Sequence, residues 1–251
     1  MKSLLARGRA ASTIRTIISA IGTIHKLWHG TDPSKAFLVI RSLKGLEKFA
    51  KEKSHLLPIN KTLLSKILKK LPNLNFPKYL VKALKAMFAL AYEGCFRIGE
   101  LIVSGEDKHT LTINNVQFLT SKTPHALKLT LDSFKHHAAP ASILIQKRKS
   151  RESAYKLVRK YLKVRPTGEG HLFLDKDRSP FQRNLVASAL RACLEGLVED
   201  PAKYNTHSFR VGRTTDLVEE GTPESVIQQV GRWKSTAYRC YYRSQEFLMP
   251  Y

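Results

Sequence analysis

The chain has 251 residues, with 43 Lys and Arg against 20 Asp and Glu, and a formal net charge of +23; such an excess points to a polyanionic partner bound with strong salt sensitivity. Cys95, Cys193 and Cys240 are odd in number, far apart and without a CxxC pair, so neither a disulfide framework nor a zinc site is expected. No apolar run approaches bilayer length, and the apolar stretch in MKSLLARGRAAS is too short for a secretory signal. The expectation is therefore a soluble intracellular protein with no membrane partner.

In chain order, Ser12 or Thr13 can cap a helix carrying Ile14, Ile17, Ile18, Ile21, Ile24, Leu27 and Trp28, closed by Gly30. Asp32-Pro33 opens a second, with Phe37, Ile40, Leu43, Leu46 and Phe49 along one side. Asn60 caps a third, with Leu63, Leu64, Ile67, Leu68 and Leu71 opposite Lys61, Lys66, Lys69 and Lys70. Three amphipathic helices with short connections predict a small bundle over residues 1–72. The Pro- and Asn-rich stretch 73–78 reads as a linker to a second domain, 79–251.

From Tyr79 one long helical pattern runs through Leu84, Phe88 and Leu90 to Ile98 and Leu101, and contains A-Y-E-G-C-F-R-I-G-E-L. Arg97 and Glu100, three apart, would at minimum form an intrahelical ion pair. Residues 110–119, 126–131 and 141–146 read as three strands. Between the last two lies a turn, D-S-F-K-H-H-A-A-P, holding Lys135. Its His136-His137 pair has no partner at ligand spacing, so no metal site is expected. Arg148 to Arg165 predicts a basic helix, His171–Leu174 a short strand-like piece, and Phe181–Leu197 another helix. The fold class is mainly α with a small antiparallel β-sheet.

The last stretch is T-H-S-F-R-V-G followed by G-T-P-E, G-R-W-K-S and Y-R-C-Y-Y-R. His207 and Arg210 share a helix face, Gly221 closes that helix as a left-handed cap, Thr222-Pro223-Glu224 opens the next, and Gly231 ends it. Trp233 and the phenols Tyr238, Tyr241 and Tyr242 come after. A guanidinium matches two phosphate oxygens, imidazole and indole N–H groups donate to the same group, and a phenol supplies a nucleophile.

This ordered set resembles the C-terminal boxes of the tyrosine recombinases (the Cre, Xer and lambda-integrase family). The G-R-W-K-S-x-A-Y-x-x-Y wording is most similar to recombinases of DIRS/Ngaro-type retroelements and cryptons. The resemblance implies an N-terminal DNA-clamping domain lacking its first helix and a catalytic domain. It implies double-stranded DNA as partner, no cofactor, assembly into a tetramer, and nuclear placement for a eukaryotic mobile element. Arg97, in R-x-x-E-L, would clamp phosphate with Glu100 behind it, and Lys135, with Lys122 as runner-up, would protonate the leaving oxygen. His207, Arg210 and Trp233 would complete the site. Tyr241 is the expected nucleophile by the retroelement wording, and Tyr242 by Cre-like spacing. Arg15, Lys26, Lys61, Lys66, Lys69, Lys70, Arg148, Lys149 and Arg151 are expected on the DNA face. Two other readings stay open: a type IB topoisomerase-like enzyme, and a domesticated DNA-binding protein that no longer cuts.

Overall fold

The computed structural model describes residues 7–49, 56–103, 109–120, 124–133 and 140–240. Two units divide the chain, Met1–His55 and Leu56–Tyr251. In the first, helix α1 (Ala11–His29) ends on Gly30, whose φ of 73° lets its N–H return to the Lys26 carbonyl. Asp32 then accepts from Ser34 N–H and opens a 3₁₀ turn, Pro33–Lys35, and α2 (Phe37–Phe49) follows. Gly22 lies against this turn, where a Cβ would sit 2.4 Å from the Asp32 carboxylate. The apolar stripe of α1 is only partly used. Ile14 is buried, whereas Ile21, Ile24, Leu27 and Trp28 are exposed.

The expected three-helix bundle is corrected here. The third helix, α3 (Lys61–Lys70), belongs to the second unit, and the division falls at 55/56 rather than at 73–78. The reason is burial: Leu64, Ile67 and Leu68 enter the main core with Phe88, Leu90 and Phe209. Asn60 caps α3 as expected, its Oδ1 accepting from Leu63 N–H at 2.9 Å. The approach to this helix is pinned too, since Leu57 N–H donates to the Lys203 carbonyl and Ile59 N–H to that of Ser208, both at 2.9 Å.

The long helix predicted from Tyr79 to Leu101 is two helices, α4 (Lys78–Glu93) and α5 (Ile98–Leu101). The break is at Gly94–Cys95, where Cys95 takes a φ of 49°. A Cβ on Gly94 would meet the Phe96 ring at 2.2 Å. The three strands β1 (Val116–Leu119), β2 (Ala126–Leu131) and β3 (Ala141–Gln146) form one antiparallel sheet in that order. The first is shorter than expected because Ile113–Asn115 turn as a 3₁₀ helix.

Helix α6 (Ala154–Leu162) covers only the middle of the predicted basic helix. Its N-terminus is capped by Glu93 Oε1, which accepts from Ala154 N–H at 2.9 Å. Arg165 is buried and folds the following loop onto itself, donating to the carbonyls of Pro166, Gly168, His171 and Leu172. Helix α7 (Arg183–Leu194) leads to α8 (Ser208–Glu219) and α9 (Glu224–Gly231). Gly221 is left-handed as expected, but Thr222 provides no side-chain cap. The left-handed residue after α9 is Arg232, at φ 57° and ψ 46°, and not Gly231.

Candidate active site

The break between α4 and α5 is what brings the first candidate residue into place. Freed from a helix interior, Arg97 is extended at φ −75°, ψ 145° and stands at the N-cap of α5. Glu100 reaches back, accepting from Arg97 N–H and from Arg97 Nη1, both at 2.9 Å. The Arg97 side chain is 29% exposed and the Glu100 side chain 4%, so the guanidinium faces solvent from a buried anchor. It lines a cleft of about 670 Å³ with His109, Arg183, Asn184, Asn205 and His207.

His207 enters the same cleft from the turn before α8, its N–H held by Asn205 Oδ1 at 2.7 Å. Its imidazole is half-buried. Loss of water, with the positive charges of Arg210 and Arg97, pulls its pKa from 6.5 down to about 4. The ring is therefore neutral at physiological pH and can accept a proton.

Arg210 lies behind the cleft and is 0% exposed. Its two terminal nitrogens donate to the carbonyls of Cys95 and Gly231, and the Trp233 ring covers the guanidinium with 4.2 Å from Cζ to centroid. Burial lowers its pKa below the usual arginine range. In this arrangement two terminal nitrogens of Arg210 are engaged on backbone, and Arg97 is the more accessible guanidinium of the pair. Trp233 is set by a close approach, since a Cβ on Gly231 would lie 1.5 Å from Cζ3 of its ring.

Sequence reasoning missed three contributors. Arg183 and Asn184, at the start of α7, look in sequence like ordinary helix surface. His109 receives or gives a hydrogen bond with Ser133 Oγ at 2.7 Å, tying Ser133 to the cleft wall. Lys135 and Lys122 lie outside the described residues, as do Tyr241 and Tyr242. Tyr238 is buried beside Trp233, with ring centroids 5.9 Å apart.

Of the expected DNA-facing cations, Arg15, Lys26, Lys61, Lys66, Lys69, Arg148, Lys149 and Arg151 are exposed. Lys70 is half-buried and its Nζ donates to the Glu195 carbonyl, so it serves the fold. Among the described residues no helix is long and apolar enough to cross a membrane, and no cluster of three metal-ligating side chains occurs.

A helical catalytic-type domain with one three-stranded sheet, an R-x-x-E-L arginine and an H-x-x-R helix on one cleft is the arrangement of the tyrosine recombinases. Residues 59–247 match the phage integrase family, and the chain belongs to it. Comparison with curated proteins gives no match. Among solved structures, the fold is similar to the XerH site-specific recombinase bound to a palindromic difH substrate, a post-cleavage complex. That pair has 13% identity and a TM-score of 0.57 over 82% of this chain and 60% of that one. It is similar as well to the Tn1549 transposon integrase in complex with transposon right end DNA, at 13% identity and TM-score 0.64 over 96% and 78%. A lambda integrase dimer bound to a COC′ core site matches at 17% identity and TM-score 0.61 over 97% and 62%. The chain spans 60% and 61% of the two XerH chains it matches.

Proposed function

We propose that this protein is a site-specific DNA recombinase or integrase that breaks and rejoins DNA through a 3′-phosphotyrosine intermediate, and that it serves a DIRS-like mobile element. The observation that carries the reading is the shared cleft of Arg97 and His207, with Arg210 directly behind it, in a chain of the phage integrase family. The G-R-W-K-S-x-A-Y-x-x-Y wording supports the DIRS-like element, and nuclear placement follows from it.

In the mechanism, the phenolic oxygen of Tyr241, or Tyr242 in the alternative, attacks phosphorus. The P–O5′ bond breaks, and the electron pair leaves on the 5′ oxygen, which Lys135 protonates. Arg97 neutralises charge on a non-bridging oxygen, a contact worth about 10²–10³-fold in rate for donors of this kind. Neutral His207 accepts the phenolic proton or donates to the phosphate. The charge is supplied by side chains, and the phosphotyrosine conserves the bond energy for rejoining. The His109–Ser133 contact supports the role given to Lys135, since it holds Ser133, two residues earlier in the chain, beside the cleft. Double-stranded DNA is the partner, and pairing of two DNA sites calls for self-association on DNA.

A duplex nicked close to the scissile phosphate tests this: loss of the short 5′ fragment traps the covalent adduct, and peptide mapping identifies the tyrosine. One observation favours a second reading, a protein that binds DNA without cutting: Arg210 is buried, with Nη1 and Nη2 each engaged on a backbone carbonyl. Binding to the nicked duplex with no adduct at any pH would establish that reading. Relaxation of supercoiled plasmid without site preference would establish a topoisomerase instead.

A further inference from the structure

Resting on the recombinase reading, we propose that Arg232 is a positioning residue that holds Arg97 in the cleft and ties it to Arg210. In sequence Arg232 is one more cation of a basic chain. In the structure its side chain is 4% exposed and pairs with Glu100 Oε2 at 2.7 Å. Glu100 is the residue whose other oxygen, Oε1, fixes Arg97 Nη1. One buried carboxylate therefore lies between two guanidinium groups, one facing the cleft and one wholly inside.

Both terminal nitrogens of Arg232 also reach the backbone of the α4–α5 break. Its Nη1 donates to the Gly94 carbonyl and its Nη2 to the Cys95 carbonyl, both at 3.1 Å. The Cys95 carbonyl also accepts from Arg210 Nη1. A single chain of contacts thus runs Arg97–Glu100–Arg232–Cys95–Arg210, with the Phe96 ring 5.0 Å from the Arg232 Cζ. The planar fork is what spans one carboxylate and two carbonyls, and a lysine has no such fork. Arg232 is also left-handed at a position where glycine is the ordinary residue after a helix. A side chain kept there despite the steric cost makes bonds that a glycine could not.

The test uses Arg232→Met and Arg232→Lys. On the nicked duplex, R232M should slow single-turnover covalent attachment about 10²-fold, the cost of a misplaced reacting group, while affinity for the same duplex is little changed. R232K, which keeps the charge without the fork, should fall between R232M and wild type, and it decides the matter if R232M fails to fold. In a cycle with Glu100→Gln, the double variant should be no slower than the slower single, because Arg232 acts through Glu100. Additive losses would overturn the proposal, as would R232M and R232K both attaching at the wild-type rate. A readout without DNA separates this inference from the functional one: solvent exchange of the Arg97 guanidinium protons, followed by nitrogen-15 NMR on the free protein. Faster exchange in both variants supports the anchoring even if wild type attaches to no DNA, and unchanged exchange overturns it.

Discussion

At the scale of single residues, His207 makes the sharpest prediction because its charge state is set by its neighbours. Its folded pKa of about 4 lies below the 6.5 of an ordinary histidine. Between those values the unfolded chain binds a proton that the folded chain refuses. The contribution is whole above pH 6.5 and is lost as the pH falls toward 4. A bound phosphodiester adds negative charge beside the ring and raises this pKa. DNA binding should therefore take up a proton, and affinity should strengthen as the pH drops through the same window. An NMR titration of His207 with and without duplex checks this, and an identical midpoint near 4 in both would contradict it. Gly231 gives a second test. Gly231→Ala forces a methyl into the Trp233 ring, moving the indole off Arg210 and forfeiting about 0.5–2 kcal/mol of cation–π attraction. Fluorescence in a Trp28→Phe background, which leaves Trp233 as the sole indole, should report a more solvated ring.

At the scale of elements, what was legible in the sequence followed local rules. Asn60 predicts the start of α3, Gly30 the end of α1, and alternation the strands Ala126–Leu131 and Ala141–Gln146. The errors fall where distant contacts override those rules. The α4–α5 helix breaks because the Cys95 carbonyl is held by Arg210 and Arg232, residues more than 100 positions away. Arg232 and Arg165 read as surface cations, since nothing local marks a buried guanidinium. Asp216 is a third example of this kind. Its Oδ2 accepts from Lys61 N–H at 2.8 Å and from Tyr92 O–H, so one carboxylate from α8 caps α3 and fixes α4. Asp216→Ala leaves both donors without an acceptor, at a cost of about 1–3 kcal/mol for each that stays buried. Thermal unfolding should show the loss, and Asp216→Asn, which keeps an acceptor oxygen, should recover part of it. Equal midpoints for the alanine variant and wild type would mean that Asn60 alone sustains the α3 start.

At the scale of the whole molecule, stability and DNA affinity should separate between the two units. Among the described residues both hydrophobic clusters, one from Ile59 to Phe209 and the other of Leu217, Ile227 and Tyr238, draw every member from Leu56–Tyr251. The first unit buries Ile14 but exposes Trp28, Leu27, Phe37 and Leu38, so it adds little to the cores that melt cooperatively. A chain of residues 56–251 should therefore unfold at the midpoint of the full chain. Affinity should behave differently, because residues 1–55 carry a strong excess of Lys and Arg, Arg15 and Lys26 among them. Every phosphate that this unit neutralises, and the shorter chain does not, should reduce the slope of log K against log salt by about 0.9. Binding isotherms at several salt concentrations on both chains measure it directly. An unchanged slope would mean that the basic surface of the first unit never meets DNA. An unchanged slope together with a lowered midpoint would make that unit a stabilising element, not a clamp.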